Sequence, residues 1–210
     1  VSLLKVEYLS YDQIARAADD FLEERSITEV PVDIERIIEY DLRLDIITIP
    51  GLFKNFDIDG FITGDFSAIY VDESIYTNRP NRYRFTLAHE LGHYVLHKEI
   101  LGQVPITSIS EWKRYQANLS PNDRSTIEFQ GYAFGGLLLV PRHHLQKHFD
   151  ANLPEIQPLI KKAVRERIHR SNYLDYALEH LATILAPIFE VSVDVISRRI
   201  KKDNLHEDIP

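Results

Sequence analysis

The spacing of hydrophobic positions along this chain changes several times, and each change marks an element. Ser10-Tyr11-Asp12-Gln13 has the Ser-x-x-Gln form of a capping box, and Ile14, Ala17, Ala18, Phe21 and Leu22 follow at helical spacing, which predicts an amphipathic helix to about Glu24. Pro31 is expected to open a short second helix whose Ile34, Ile37 and Ile38 face one way. Leu42, Leu44 and Ile46 then alternate with Arg43 and Asp45, the period of a half-buried strand, and Pro50-Gly51 stops it. Gly60-Phe61-Ile62-Thr63 and Ser67-Ala68-Ile69-Tyr70-Val71 flank Gly64-Asp65 as the arms of a hairpin. A small, mostly antiparallel sheet is therefore expected ahead of the next helix.

Asn78-Arg79-Pro80 reads as a helix start with proline in the first turn, and Phe85, Ala88, Leu91, Gly92, Val95 and Leu96 carry a largely buried helix to about Lys98. Gly92 inside it costs about 1 kcal/mol relative to Ala, so something is expected to pack closely there. From Glu99 to Ser125 no period is visible, and the only tryptophan, Trp112, lies in this stretch. An irregular loop of that length is either a functional lid or a plain surface loop. Glu128 begins an apolar, glycine-bearing helix that Pro141 ends. Leu185 to Ile200 has the pattern of a helix-turn-helix, with the turn at Glu190 to Ser192 and a second helix from Val193.

Composition bounds the fold and the setting. A chain of 210 residues, 44% hydrophobic and 27% charged, supports one good core plus an appendage, read as residues 1–150 and a helical extension 151–210. Without cysteine, disulfides are excluded and any metal site must be built from His, Asp, Glu and water. No run approaches ~18 apolar residues, and Val1 to Ala18 lacks a basic-then-apolar leader, so a soluble cytoplasmic location with no membrane partner is expected. Methionine is absent even at position 1, so the numbered start is not expected to be the translation start.

Charge divides the chain further. Residues 151–210 carry nine Lys/Arg and nine Asp/Glu, so the net charge of -8 lies wholly in residues 1–150. That acidic portion repels nucleic acid and attracts basic proteins. Lys161 to Arg170 and Arg198 to Lys202 are basic, and the extension either binds DNA or caps the core. Its zero net charge and the missing turn glycine favour the cap.

The candidate chemistry is concentrated in His89-Glu90-Leu91-Gly92-His93. Two imidazoles four positions apart share one helix face about 6 Å along the axis, so both can aim a ring nitrogen at one ion. Glu90 then stands beside the ion, placed to take a proton from water. The bland alternative is a core helix with two incidental histidines. Zinc in peptidases takes three protein ligands. His97 lies about 12 Å along the helix from His89, too far to share the ion, which leaves it a holding or packing role. Leu96 and Glu99 stand where the extended motif would have its Gly and third His. Glu128 is the best-placed remaining carboxylate, although a glutamate at a helix start also gains from the helix dipole alone.

Arg82-Tyr83-Arg84-Phe85-Thr86-Leu87-Ala88-His89-Glu90-Leu91-Gly92-His93-Tyr94-Val95-Leu96-His97, followed by Glu128-x-Gln130-x-x-x-Phe134-x-x-x-Leu138-Leu139-x-Pro141, resembles the ImmA/IrrE family of metallo-endopeptidases. Pro31-Val32-Asp33-Ile34 and Tyr70-Val71-Asp72 fit that family's entry region, and the resemblance covers roughly residues 25 to 145. It implies a zincin-like α+β fold, with a small sheet packed on a metal-binding helix pair. One Zn2+ per chain, or another divalent ion such as Mn2+, is held by His89, His93 and Glu128, with Glu90 as catalytic base. It implies a site-specific endopeptidase that cleaves a basic helix-turn-helix repressor in a bacterial or mobile-element circuit.

This chain departs from the family in having Gly131-Tyr132 where Ala-Asn or Ala-Asp is usual, and Val140 where Met precedes the proline. Tyr132 takes the place of a residue that would orient a ligand histidine, and Gln130 joins His97 behind the ligands. Tyr132, His143 and His144 are the candidate donors to the oxyanion. Substrate is expected as an extended strand along the sheet edge. The contrasting class is a DNA-binding or antitoxin-like regulator with a structural or inactive zinc site. A weaker third is a metal-dependent hydrolase of non-peptide substrates.

Overall fold

A computed structural model describes residues 6–209. The first five residues, part of the Val1 to Ala18 stretch read for a leader, lie outside the described residues. Helix α1 (Tyr11–Glu24) opens on the expected capping box, with Ser10 N–H donating to Gln13 Oε1 at 2.9 Å and Gln13 N–H donating to Ser10 Oγ at 3.3 Å. Its buried face is Ile14, Ala15, Ala18, Phe21 and Leu22. Asp33, not Pro31, caps the next helix by accepting the Arg36 N–H at 3.2 Å, because an aspartate side chain can satisfy an orphan amide and a proline cannot. That helix, α2 (Ile34–Arg36), widens at once into a π-turn, Ile37–Asp41, and Ile34, Ile37 and Ile38 are buried as their spacing required.

Strand β1 is Asp45–Ile49, starting beyond the Leu42 to Ile46 alternation because Leu42 is used to close the π-turn. Helix α3 (Leu52–Phe56) follows, and β2 (Gly60–Ile62) and β3 (Ala68–Asp72) form the hairpin. The sheet has order β1-β3-β2, with β1 parallel to β3 from Asp45↔Ala68 to Ile49↔Asp72 and β2 antiparallel to it. It is mixed, where a mostly antiparallel sheet was expected. Alternation reveals a strand but not its direction, which the α3 crossover sets here. The bonds Asp72 N–H to Asp59 O and Thr63 N–H to Ala68 O mark the paired residues of the hairpin. Gly60 and Ile62 therefore turn their backbone groups to the open edge.

Helices α4 (Glu73–Asn78), α5 (Pro80–Leu96), α6 (Lys98–Leu101), α7 (Ile109–Asn118) and α8 (Pro121–Leu139) complete this part. The stretch from Glu99 to Ser125 is thus mostly helical, not the irregular loop or lid expected. Ser108 Oγ accepts the Glu111 N–H and Ser120 Oγ accepts the Asp123 N–H, so serine caps start or support both later helices. Glu128 lies well inside α8 instead of beginning it, which removes the helix-dipole explanation for its presence.

The chain forms two compact units, Val1–Thr28 with Asp33–Leu138, and Glu29–Val32 with Leu139–Pro210. The first unit ends at Leu138, and α9 (Arg142–Arg165) runs unbroken within the second. In the second unit α10 (Arg170–Phe189) packs on α9 and on α11 (Val193–Lys202) over buried Leu145, Phe149, Leu181, Leu185, Phe189, Ile196 and Ile200. The turn between α10 and α11 bends them by 111°, and Glu190 takes the left-handed conformation (φ 52, ψ 47) that usually calls for glycine. Arg199 is buried there, 2.7 Å from Asp203 and bonded to the Val140 carbonyl. Among the described residues no single helix is long and apolar enough to cross a membrane.

Asp72 ties sheet to helix. Only 1% exposed, its carboxylate caps α4 through the Ser74 and Ile75 N–H groups and accepts the Phe53 N–H at 2.8 Å. Burial alone would raise its pKa, but these bonds and that from the Ser74 hydroxyl outweigh burial and lower it. A depressed carboxylate contributes stability above its unfolded value and loses it as pH falls through the folded one. Asp72→Ala is expected to lower unfolding stability in urea by about 2–3 kcal/mol at neutral pH, with a smaller difference from wild type in acid.

Candidate metal centre

Helices α5 and α8 meet almost backbone to backbone. A Cβ on Gly92 would stand 3.0 Å from the Cα and carbonyl oxygen of Gly131, and one on Gly135 would stand 3.0 Å from the His89 backbone nitrogen. A Cβ on Gly131 would press on the rings themselves, 2.9 Å from His89 Cε1 and 3.1 Å from His93 Cε1. The close packing that Gly92 led us to expect is therefore the seat of the two histidines. Because Glu128 precedes Gly131 by three positions, the same contact brings its side chain to the imidazoles.

His89 Nε2 lies 3.0 Å from His93 Nε2 and 3.3 Å from Glu128 Oε2. Ligand atoms ~2.0–2.1 Å from a tetrahedral zinc stand about 3.3 Å apart, so His89 Nε2 keeps the spacing of co-ligands with each of its two neighbours. His89, Glu90 and His93 also offer atoms within 4.8 Å of one another, and proximity alone would admit Glu90 as a ligand. Its Oε2, however, accepts the Ile62 N–H at 3.0 Å, which holds the carboxylate against strand β2. Glu128 Oε2 faces His89 Nε2 instead of the strand, while its Oε1 accepts from Gln116 Nε2 at 3.2 Å.

The electrostatics match a cation site. Burial pushes the Glu90 carboxyl up to about 7, reinforced by Glu128 and Asp59 and opposed by His89 and the Ile62 amide. Burial also lowers His93 well below its ordinary value, helped by His89. For His89 burial acts the same way but is outweighed by the Glu128 hydrogen bond and the Glu90 charge, so its pKa rises. Burial disfavours ionised Glu128, yet the two imidazoles hold its pKa below the usual range. A proton on His89 thus does for Glu128 what a metal would do better, and His89 Nδ1 is buried with no hydrogen-bond partner among the described residues.

Behind the ligands, His97 Nδ1 lies 3.0 Å from His93 Nδ1, and His97 Nε2 lies 2.6 Å from Gln130 Oε1. In front, a cleft of about 460 Å³ is lined by Asp57, Asp59, Gly60, Phe85, His89 and Tyr132, among others. Tyr132 is 57% exposed, stacks on Phe85, and has its ring centroid 4.4 Å from that of His89. Arg82 and Asp59 form a two-bond ion pair at 2.6 and 2.8 Å on the cleft wall. His143 and His144 lie on the first turn of α9, with ring centroids 4.0 Å apart, and neither lines the cleft.

Sequence reasoning missed Tyr115. It lies on α7 and lines a smaller recess together with Glu90, His93, Trp112 and Glu128, walled by Ile62, Leu101, Ile106 and Ile127. Its ring is buried and its hydroxyl has no hydrogen-bond partner among the described residues. The Ser108 cap is the local signal that puts Trp112 and Tyr115 on a helix.

The family model described as IrrE N-terminal-like domain matches residues 43–201. Six chains of solved structure match the fold. One, titled Mycobacterium tuberculosis transcriptional regulator, aligns with a TM-score of 0.52 and 14% identity over 92% of this chain and 47% of its own, a likeness of fold. This chain therefore spans less than half the length of that regulator. No curated protein matches.

Gly92→Ala tests the seat without touching a ligand atom. The gain in helix propensity of about 1 kcal/mol is outweighed by an overpacking cost of about 1–3 kcal/mol against backbone. We expect lower stability and weaker Zn2+ binding by calorimetric titration. Unchanged binding would show that the glycine contact does not set the site.

Proposed function

The chain belongs to the IrrE N-terminal-like domain family of peptidases, and on that premise we propose that it is a zinc-dependent endopeptidase that cuts a regulatory protein in the bacterial cytoplasm. The observation that carries the reading is His89 Nε2 standing 3.0 Å from His93 Nε2 and 3.3 Å from Glu128 Oε2, beside a buried carboxylate, Glu90. Two imidazoles and one carboxylate are a donor set of catalytic zinc, with Mn2+ the alternative. When bound, the ion supplies a Lewis acid that polarises a carbonyl and acidifies water.

The protein's own residues do the rest. Glu90 accepts a proton from water at Oε1, the oxygen that Ile62 leaves free, and returns it to the departing amine. The open edge of β2 offers the backbone groups of Gly60 and the carbonyl of Ile62 to an extended peptide, the Ile62 N–H being held by Glu90. Two phenols flank the site as donors to a developing oxyanion: Tyr132 on the cleft wall and Tyr115 in the recess. The net charge of -8, all in residues 1–150, favours a basic substrate. A helix-turn-helix repressor is the substrate we propose on that basis and on the family.

The sharply bent α10–α11 pair favours a second reading, a DNA-binding regulator in which the metal is structural. Arg198 and Lys201 on that pair are engaged with Asp194 at 2.9 Å and Asp175 at 3.2 Å, and Arg199 is buried. Zinc-dependent cleavage of a repressor encoded beside this chain supports the first reading. Salt-sensitive DNA binding without cleavage supports the second.

Glu90→Gln is expected to keep zinc and lose proteolysis by at least about 10²-fold in a cleavage assay. Because the base must be ionised, wild-type cleavage should rise with pH up to about 7, with a bound cation moving that limb lower. Tyr115→Phe removes a buried hydroxyl without a partner, so thermal stability should hold or rise while kcat falls by about 10²-fold. Undiminished kcat would remove Tyr115 from the mechanism.

A further inference from the structure

One of the two ligand histidines has a wired proton and the other does not. Gln130 is fully buried, and its Nε2 donates to the backbone carbonyl of Glu7 at 2.8 Å. A carbonyl only accepts, so the amide orientation is fixed and Gln130 Oε1 faces His97. At 2.6 Å from that oxygen, His97 Nε2 must carry the proton. A neutral His97 then presents a bare Nδ1, 3.0 Å from His93 Nδ1, and two bare nitrogens at that distance would repel. His93 must therefore hold its proton on Nδ1, which leaves the lone pair of Nε2 on the side of His89 Nε2, 3.0 Å away. His89 has no counterpart, since its buried Nδ1 has no hydrogen-bond partner among the described residues.

The geometry points to Glu7, Gln130 and His97 as a tautomer-setting relay that fixes His93 as the preformed ligand, with His97 and Gln130 as positioning residues. The relay begins on the segment ahead of α1, which α8 holds twice: Val6 N–H donates to Asp123 Oδ1 at 3.3 Å, and seven positions later Gln130 Nε2 donates to the Glu7 carbonyl. The inference rests on the metal-site reading proposed above but not on proteolysis, so an inactive protein would leave it intact.

The test is long-range 1H–15N correlation on protein labelled at histidine nitrogens, without metal and with Zn2+. In the wild type we expect His93 to appear as the Nδ1–H form and His97 as the Nε2–H form in both states. An Nε2–H signal for His93 in the metal-free protein overturns the relay. His97→Phe removes the acceptor, so His93 should populate the other tautomer and Zn2+ affinity, read by competition with a chelating dye, should fall about 10–100-fold. His97→Gln restores an acceptor oxygen and should recover most of that loss. A folded His97→Phe protein that binds Zn2+ as tightly as wild type also overturns the proposal. Where His97→Phe does not fold, the wild-type spectra decide.

Discussion

The closeness of α5 to α8 is the constraint on which the site depends. Three glycines in two helix interiors sacrifice about 1 kcal/mol each in helix propensity, and they are placed where a side chain would collide with backbone or with a ligand ring. The loss is offset by apolar burial along the same helices, with Leu87 and Leu91 on α5 and Phe134, Leu137 and Leu138 on α8 all essentially inaccessible. The result is that donors almost forty positions apart in sequence, His89 and Glu128, lie within one ion's reach.

Charge makes that geometry purposeful. Three imidazoles and two carboxylates in a largely buried space are costly unless something compensates them. Without a cation they compensate each other imperfectly: Glu128 stays ionised beside His89, His93 stays neutral, and Glu90 is driven toward its protonated form. A divalent ion would relieve all three at once. The strand supports the division of labour, because the Ile62 amide holds one oxygen of Glu90 while Gln116 holds the far oxygen of Glu128. Two carboxylates in one enclosure thus have distinct restraints, one from the sheet and one from α7.

Much of this was legible in the residues, and the gaps have physical reasons. The capping box at Ser10, the proline start of α5 and the α10–α11 turn are local signals, and each appears where its pattern put it. Gly92 announced a close approach, but nothing near it named Gly131 as the partner, since helix pairing is a tertiary choice. The direction of β1 depends on its crossover and not on its own alternation. The polar residues of α7 mask its helical period, and the position of Tyr115 is masked with it. Glu128 was found for its charge in an apolar helix but misplaced at that helix's start, since α8 begins in the polar run from Pro121.

The most direct test of the account is anomalous diffraction at the zinc edge from crystals of the zinc-loaded chain. The account predicts one strong peak within about 2.0–2.2 Å of His89 Nε2, His93 Nε2 and a Glu128 oxygen, with Glu90 outside bonding distance. A peak that Glu128 does not touch, or one coordinated by Glu90 in its place, would contradict it.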